Sequence, residues 1–152
     1  MNARTFAHRN LPLLLLQARE RILARFRPIL NQHGVTEQQW RILRALHEFG
    51  PMEPREIGEA CRISSPSMAG VLARMDDLGF IARKRLDHDQ RRVRVSLTAK
   101  GRALVARVAP QVEATYAAIE SELGAERVER IYRTIDELLE TVAPIDETPA
   151  SE

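Results

Sequence analysis

The hydrophobic period changes at Gly79, and that change constrains the chain more than any other feature. Upstream of it, Met68, Val71, Leu72, Met75 and Leu78 recur at three- and four-residue spacing, which is one face of a helix. Downstream, Ile81 to Leu86 and Arg92 to Leu97 are two short extended runs, and in the second Val93, Val95 and Leu97 alternate with Arg94 and Ser96, a strand-like period of two. The polar connector Asp87-His88-Asp89-Gln90 joins the two runs into a β-hairpin. Before the helical stripe, Pro54 to Cys61 reads as a short helix with Ile57, Ala60 and Cys61 inward, followed by the tight connection Arg62-Ile63-Ser64. Ser65 then reads as an N-cap with Pro66 at the first helical position. Two short helices, a three-residue turn and a basic hairpin together make a winged helix-turn-helix.

The remaining segments are helical by period. Pro12 suits a first turn, and Leu15, Ala18, Ile22, Phe26 and Ile29 carry a helix to about His33, where Gly34 stops it. Thr36 with Gln39 three positions on is a capping-box pattern, and Trp40, Leu43, Ala45, Leu46 and Phe49 give the second helix an apolar face ended by Gly50-Pro51. Thr98 caps a fifth helix to about Leu123, which Pro110 should kink or bend. Gly124 separates it from a sixth, carrying Val128, Ile131, Ile135, Leu138 and Val142 up to Pro144. Residues 1–10 read as a loose arm and 145–152 as a frayed end. The expectation is a mainly α fold of six helices plus one β-hairpin wing, in a single domain over 1–152. Residues 51–97 form the winged lobe, and 11–50 and 98–143 are dimerisation helices, because their apolar stripes are too broad for one small core.

Charge is unevenly placed. Residues 74–112 hold ten basic and four acidic side chains, whereas 113–152 hold three basic and eleven acidic. A basic middle and an acidic end suggest one surface for a polyanion and another that avoids it. Of 23 basic residues, 21 are arginine, suited to bidentate phosphate or base contacts, although a GC-rich genome would leave the same bias. A helix of this width fits a DNA major groove, and an arginine at a hairpin tip is drawn to the negative potential of a minor groove. The candidate DNA-binding residues are therefore Ser64 in the connection, Ser65, Pro66, Ser67, Gly70 and Arg74 on the fourth helix, and Arg83, Lys84, Asp89, Gln90, Arg91 and Arg92 on the hairpin. The bland alternatives are a solvated serine face and a surface ion pair between Asp89 and Arg91.

From Met52 to Gly101 the chain resembles the MarR family of bacterial transcription regulators. The resemblance rests on Ser65-Pro66-Ser67-Met68 through Met75-Asp76-Asp77-Leu78-Gly79-Phe80-Ile81, then Arg83, Asp89-Gln90-Arg91-Arg92 and Leu97-Thr98-Ala99-Lys100-Gly101. Asp87 and Gln90 depart from a pattern in which many members carry Pro and Arg, while Asp89 and Arg91 retain the Asp-x-Arg pair that orients a minor-groove arginine. Upstream, Leu14-Leu15-Leu16-Gln17-Ala18-Arg19-Glu20, Phe26-Arg27-Pro28-Ile29 and Thr36-Glu37-Gln38-Gln39-Trp40-Arg41-Ile42 are similar to the branch that regulates homoprotocatechuate (hydroxyphenylacetate) degradation and to the related nicotinate-catabolism branch. The resemblance implies a two-fold homodimer on double-stranded DNA at a pseudo-palindromic operator, acting as a repressor released by a small aromatic carboxylate. Arg19 is the first effector candidate, as a cation able to pair with a carboxylate. Trp40 is a second, by ring stacking or otherwise as core, with Gln39 and His8 as polar contacts.

Other classes find less support. No Ser/His/Asp set, phosphate loop or paired carboxylates in a polar cleft argues for an enzyme, and no cofactor is implied. His8, His33, His47 and His88 follow no zinc-ligand spacing, so no metal site is expected. Cys61, the one cysteine, excludes an intramolecular disulfide; it reads as a buried apolar residue, with a redox switch as the alternative. The run Leu11 to Leu16 is too short for a membrane span, so a cytoplasmic protein is expected. An architectural DNA-binding protein without effector control remains open.

Overall fold

The computed structural model describes residues 5–145. The readings of 1–4 as arm and of 146–152 as frayed end lie outside them. The elements are α1 (Leu11–Gln32), α2 (Glu37–Phe49), α3 (Pro54–Cys61), α4 (Ser65–Asp77), β1 (Ile81–Leu86), β2 (Asp89–Leu97), α5 (Ala99–Leu123) and α6 (Ala125–Thr141). The mainly α fold with one antiparallel hairpin is as expected. The backbone forms two compact units, one ending at Glu113 and the other beginning at Ala114, so the boundary falls inside α5.

In the first unit, local chemistry sets the helix starts. Asn10 Oδ1 accepts from Leu13 N at 3.1 Å, with Pro12 in the first turn of α1. Thr36 Oγ1 accepts from Gln39 N and Gln39 Oε1 from Thr36 N, both at 3.1 Å, which is the capping box foreseen for α2. The core gathers around α2, which packs on α1, α3, α4 and β2. Ile42, Leu43, Ile57, Met75, Ile81, Val95, Leu104 and Val108 are fully buried, each contributing about 1.5–3 kcal/mol. Arg41 and Cys61 staple α2 to α3: Arg41 Nη1 donates to the Cys61 carbonyl at 2.5 Å, and Cys61 Sγ donates to the Arg41 carbonyl at 3.5 Å. Gly58 lets α3 and α4 close up, since a Cβ there would sit 3.1 Å from the Ile63 carbonyl oxygen and 3.6 Å from Met68 Cε.

Several boundaries and faces differ from the sequence reading. The N-cap of α4 is Ser64, not Ser65. Arg62 in the turn takes a left-handed conformation (φ 54°, ψ 51°), and with Ile63 N bonded back to the Gly58 carbonyl the chain turns one residue sooner than expected. Strand β2 begins at Asp89, three residues before the expected start, so the hairpin turn is only Asp87-His88. Phe49, Ala60 and Leu78 are exposed, and Ile42 takes the inward place that periodicity gave to others. A helical stripe marks a face only within about one residue in each direction, and packing partners choose the buried part. Both α1 and α5 run through their prolines, Pro28 and Pro110, as single helices.

The second unit comprises the end of α5 and all of α6. No residue of α6 is buried, and Ile131, Ile135, Leu139 and Val142 are exposed. In the first unit, Leu11, Leu13, Leu15, Leu16 and Ile22 of α1 are likewise exposed. Among the described residues no helix is long and apolar enough to cross a membrane, and no group of three or more His, Cys, Asp or Glu residues could hold a metal ion.

Candidate nucleic-acid interface

Helix α4 presents a polar start on a buried base. Met68, Val71, Leu72 and Met75 face the core, leaving Ser64, Ser65, Pro66, Ser67, Gly70 and Arg74 exposed. The positive end of the helix dipole therefore emerges among short hydroxyl side chains, an arrangement suited to a phosphate. Ser64 Oγ donates to Ser67 Oγ at 3.1 Å, which holds the two hydroxyls together. A Cβ on Gly70 would lie 4.0 Å from Arg74 Nη1, so the guanidinium folds back along the exposed face over that glycine. A groove of about 790 Å³ runs beside this helix, bounded by Pro54, Arg62, Ser65 and Arg83 among others.

The hairpin supplies the cations. In its register Ile81 faces Leu97, Arg83 faces Val95 and Lys84 faces Arg94. Ile81 and Val95 are buried, and Arg83, on their side of the sheet, turns to α4, where its Nη2 and Nε donate to Asp76 Oδ2 at 3.1 and 3.3 Å. Lys84 and Arg94 stand opposite each other on the outer side. Like charges directly opposed weaken a hairpin, a cost that a bound polyanion would offset.

At the tip the ladder is interrupted. Arg85 pairs with Val93 but Leu86 pairs with Asp89, so 90–92 bulge out of register. Side chains hold the bulge: Arg85 Nη1 donates to the Gln90 carbonyl at 2.5 Å and Gln90 Nε2 to the Leu86 carbonyl at 3.1 Å. Asp89 Oδ1 accepts from both Arg91 N at 3.1 Å and Arg91 Nε at 3.2 Å. The Arg91 side chain is nonetheless 92% exposed, oriented at its root and free at its end. Arg92 differs, because its Nε and Nη2 engage both oxygens of Glu53 at 2.6 and 3.0 Å.

The four effector candidates are distributed over α1, α2 and the arm. Arg19 binds Glu37, the first residue of α2, and lies 3.5 Å from Glu20. Glu37 Oε1 in turn lies 3.4 Å from Arg41 Nε, a buried atom without a hydrogen bond. Glu20 also pairs with Arg27, so Arg19 lies within a chain of charges, Arg27–Glu20–Arg19–Glu37–Arg41, that ends on the Cys61 carbonyl beside the α3–α4 turn. Trp40 is half-buried. Gln39 is buried and its oxygen serves the capping box, while His8 is exposed in the arm. Sequence reasoning missed Glu53, Asp76, Glu37 and Arg41. Glu53 left a signal, since it precedes Pro54 and stands three residues before Glu56, and so did Glu37 and Arg41, an acid and a base four positions apart on one helix.

Cys61 is buried, and burial pushes its thiol above the ordinary value, with Arg41 opposing. The thiolate is the reactive form, so the thiol should react slowly with a disulfide reagent in the folded protein and fast in denaturant. Equal rates in the two states, read from thionitrobenzoate release, would restore the redox-switch reading.

Three comparisons bear on this geometry. The model of the MarR family matches residues 33–92. The chain is 39% identical over 132 residues to the homoprotocatechuate degradative operon repressor of Escherichia coli, covering 87% of this chain and 89% of that one. It is 40% identical over 121 residues to the HTH-type transcriptional regulator FarR of Neisseria gonorrhoeae, covering 80% and 83%. Among solved structures, NadR in complex with 4-hydroxyphenylacetate superposes with a TM-score of 0.80 at 36% identity, covering 92% of this chain and 99% of that one.

Proposed function

Because the chain belongs to the MarR family, we propose that it is a sequence-specific, DNA-binding repressor of an operon for aromatic-compound breakdown, released by a small aromatic carboxylate. The observation that carries the DNA reading is the exposed Arg91, oriented by Asp89 on a cationic hairpin that follows a serine-tipped helix. In this reading α4 enters the major groove, with Ser64, Ser65, Pro66, Ser67 and Gly70 allowing close approach and Arg74 reaching a base or phosphate. Arg91 enters the adjacent minor groove. Lys84 reaches the backbone, and Arg83 reaches it or braces the wing on Asp76.

The protein acts as a homodimer, because large apolar side chains of α1 and, separately, of α6 are exposed among the described residues. Two copies of α4 then address half-sites about one DNA turn apart, and the operator is pseudo-palindromic. The effector is of the hydroxyphenylacetate or hydroxynicotinate class. Its support is the similarity to a homoprotocatechuate operon repressor and to a structure holding 4-hydroxyphenylacetate, together with a half-exposed Arg19 that a carboxylate would draw away from Glu37. The ligand must bind the DNA-free state more tightly, or it shifts nothing.

The test is a fluorescence-anisotropy titration with the DNA upstream of the protein's own gene, with and without hydroxyphenylacetates, hydroxybenzoates and hydroxynicotinates. Arg91→Ala should cost about 2 kcal/mol of affinity. One member of the panel should weaken binding on the order of tenfold or more, and Arg19→Ala should remove that response. Binding that does not distinguish this DNA from random sequence would indicate an architectural protein instead. Specific binding untouched by the panel would remove the aromatic-acid effector and leave the regulator.

A further inference from the structure

Arg91, Arg92 and Arg94 look equivalent in sequence, three cations at the start of β2, yet the structure gives Arg92 a different occupation. We propose that the Glu53–Arg92 pair is the anchor that sets the pose of the wing arginine Arg91, so that Arg92 is a positioning residue and not a DNA contact. This rests on the reading above in which Arg91 enters the minor groove.

The pair spans 39 positions of sequence and uses both oxygens of the carboxylate, a forked geometry that fixes the plane of the guanidinium as well as its distance. Its acidic end stands on rigid backbone. Glu53 is the N-cap of α3; its N–H donates to Glu56 Oε1 at 3.0 Å and its carbonyl accepts from Ile57 N at 3.0 Å. The preceding residue, Met52, exchanges two backbone hydrogen bonds with Val95 of β2, at 3.0 and 2.7 Å. Its basic end stands on the least regular part of the wing, the 90–92 bulge, where cross-strand pairing is lost. The contacts of Gln90 and Arg91 given above stay within the hairpin, whereas Arg92 ties the bulge to the helical lobe. Arg91 is the adjacent residue, so its backbone cannot move without moving the anchor. The Arg92 hydrogen bond also holds the Glu53 carboxyl below the usual carboxylate range, so the acid is ionised at neutral pH.

Charge and position predict opposite signs for one substitution. A carboxylate inside a DNA footprint repels phosphate, so Glu53→Gln should tighten binding if charge is all that Glu53 contributes. If Glu53 positions the wing, the same substitution weakens binding although it removes a negative charge.

The experiment uses the full chain and a duplex that the wild-type protein selects from a random-sequence pool, with anisotropy titrations at several salt concentrations and a melting curve for each variant. Glu53→Gln and Arg92→Gln should each weaken binding on the order of tenfold. With Arg91→Ala already present, adding Glu53→Gln should cost less than about twofold, because the residue through which the anchor acts is gone. The charge swap Glu53→Arg with Arg92→Glu, which keeps a pair, should recover most of the affinity and covers the case in which a single variant melts early. Tighter binding by Glu53→Gln, equal costs with and without Arg91, or a swap that binds no better than Arg92→Gln would overturn the anchor. If Arg91→Ala alone binds like wild type, the wing reading falls and the anchor with it. If Arg91→Ala weakens binding and Glu53→Gln does not, only the anchor falls.

Discussion

Gly101→Ala should lower the melting temperature by roughly 10 °C, although it adds a single methyl group to a helix. Gly101 is buried in the first turn of α5, and a Cβ there would lie 2.2 Å from the Phe80 carbonyl oxygen and 3.1 Å from its carbon. These are backbone atoms, and they are held: Phe80 O accepts from Thr98 N at 3.1 Å, and Phe80 N donates to Met75 O at 3.0 Å. The surrounding chain is fixed too. Thr98 Oγ1 donates to the Gly79 carbonyl at 2.5 Å and accepts from Gly101 N at 3.1 Å, and Lys100 Nζ donates to the Leu78 carbonyl at 2.7 Å. The carbonyl group is not a flexible tip that can yield, so the methyl must part α5 from the segment that joins α4 to β1, a cost of about 3 kcal/mol. Gly70→Ala is the control. It also sits in a helix, but its Cβ would meet only Arg74 Nη1 at 4.0 Å, so helix propensity should make it neutral or stabilising by up to about 1 kcal/mol. If the two variants melt alike, the docking of α5 on Phe80 is wrong. A thermal melt followed by circular dichroism reads both.

The contrast between those glycines shows what the sequence held. The chain states its local decisions plainly: the Thr36/Gln39 capping box, the bounds of α3 and β1, and the helix stop before Gly79 follow from a few adjacent residues. Decisions among equals are less legible. Ser64 and Ser65 are chemically the same cap, and the left-handed turn at Arg62, a property of backbone and packing, selects the first. The start of β2 is hidden in the sequence for a related reason. Gln90-Arg91-Arg92 has loop-like polarity, and only the opposite strand reveals that it is a bulge within a strand. Least legible are the ion pairs between distant elements. Nothing local to Arg92 marks it as different from Arg91; the difference is a carboxylate 39 residues earlier. The candidate DNA-binding cations therefore form one set in the sequence, while the carboxylates that engage Arg83 and Arg92 show only in the fold.

Ile135→Asp should separate the subunits of the proposed dimer and, through that, lose operator binding. Helix α6 is 17 residues long and buries none of them, while Ile131, Ile135 and Leu139 recur every four residues on one exposed face. Ile135 is 42% and Leu139 67% exposed, and a contiguous exposed apolar face of this kind marks an interaction surface. A two-fold axis presents the same face from both chains, so one substitution acts twice. Placing an unpaired carboxylate against apolar side chains should cost at least about 3 kcal/mol per copy. The fold of each chain should survive, because Ile135 contributes to no buried core within it. DNA binding should not survive intact: separate subunits lose the effective concentration that one bound half-site gives the other, a loss on the order of a hundredfold or more. Glu137→Ala, two residues further along and so on the opposite side of the helix, should leave both properties unchanged. Sedimentation velocity and anisotropy on the same samples separate the two effects. A variant that stays dimeric and binds as wild type would show that α6 is not the interface. A monomer that still binds the operator at full strength would show instead that each winged lobe reads DNA alone, and the requirement for a pseudo-palindrome would go with it.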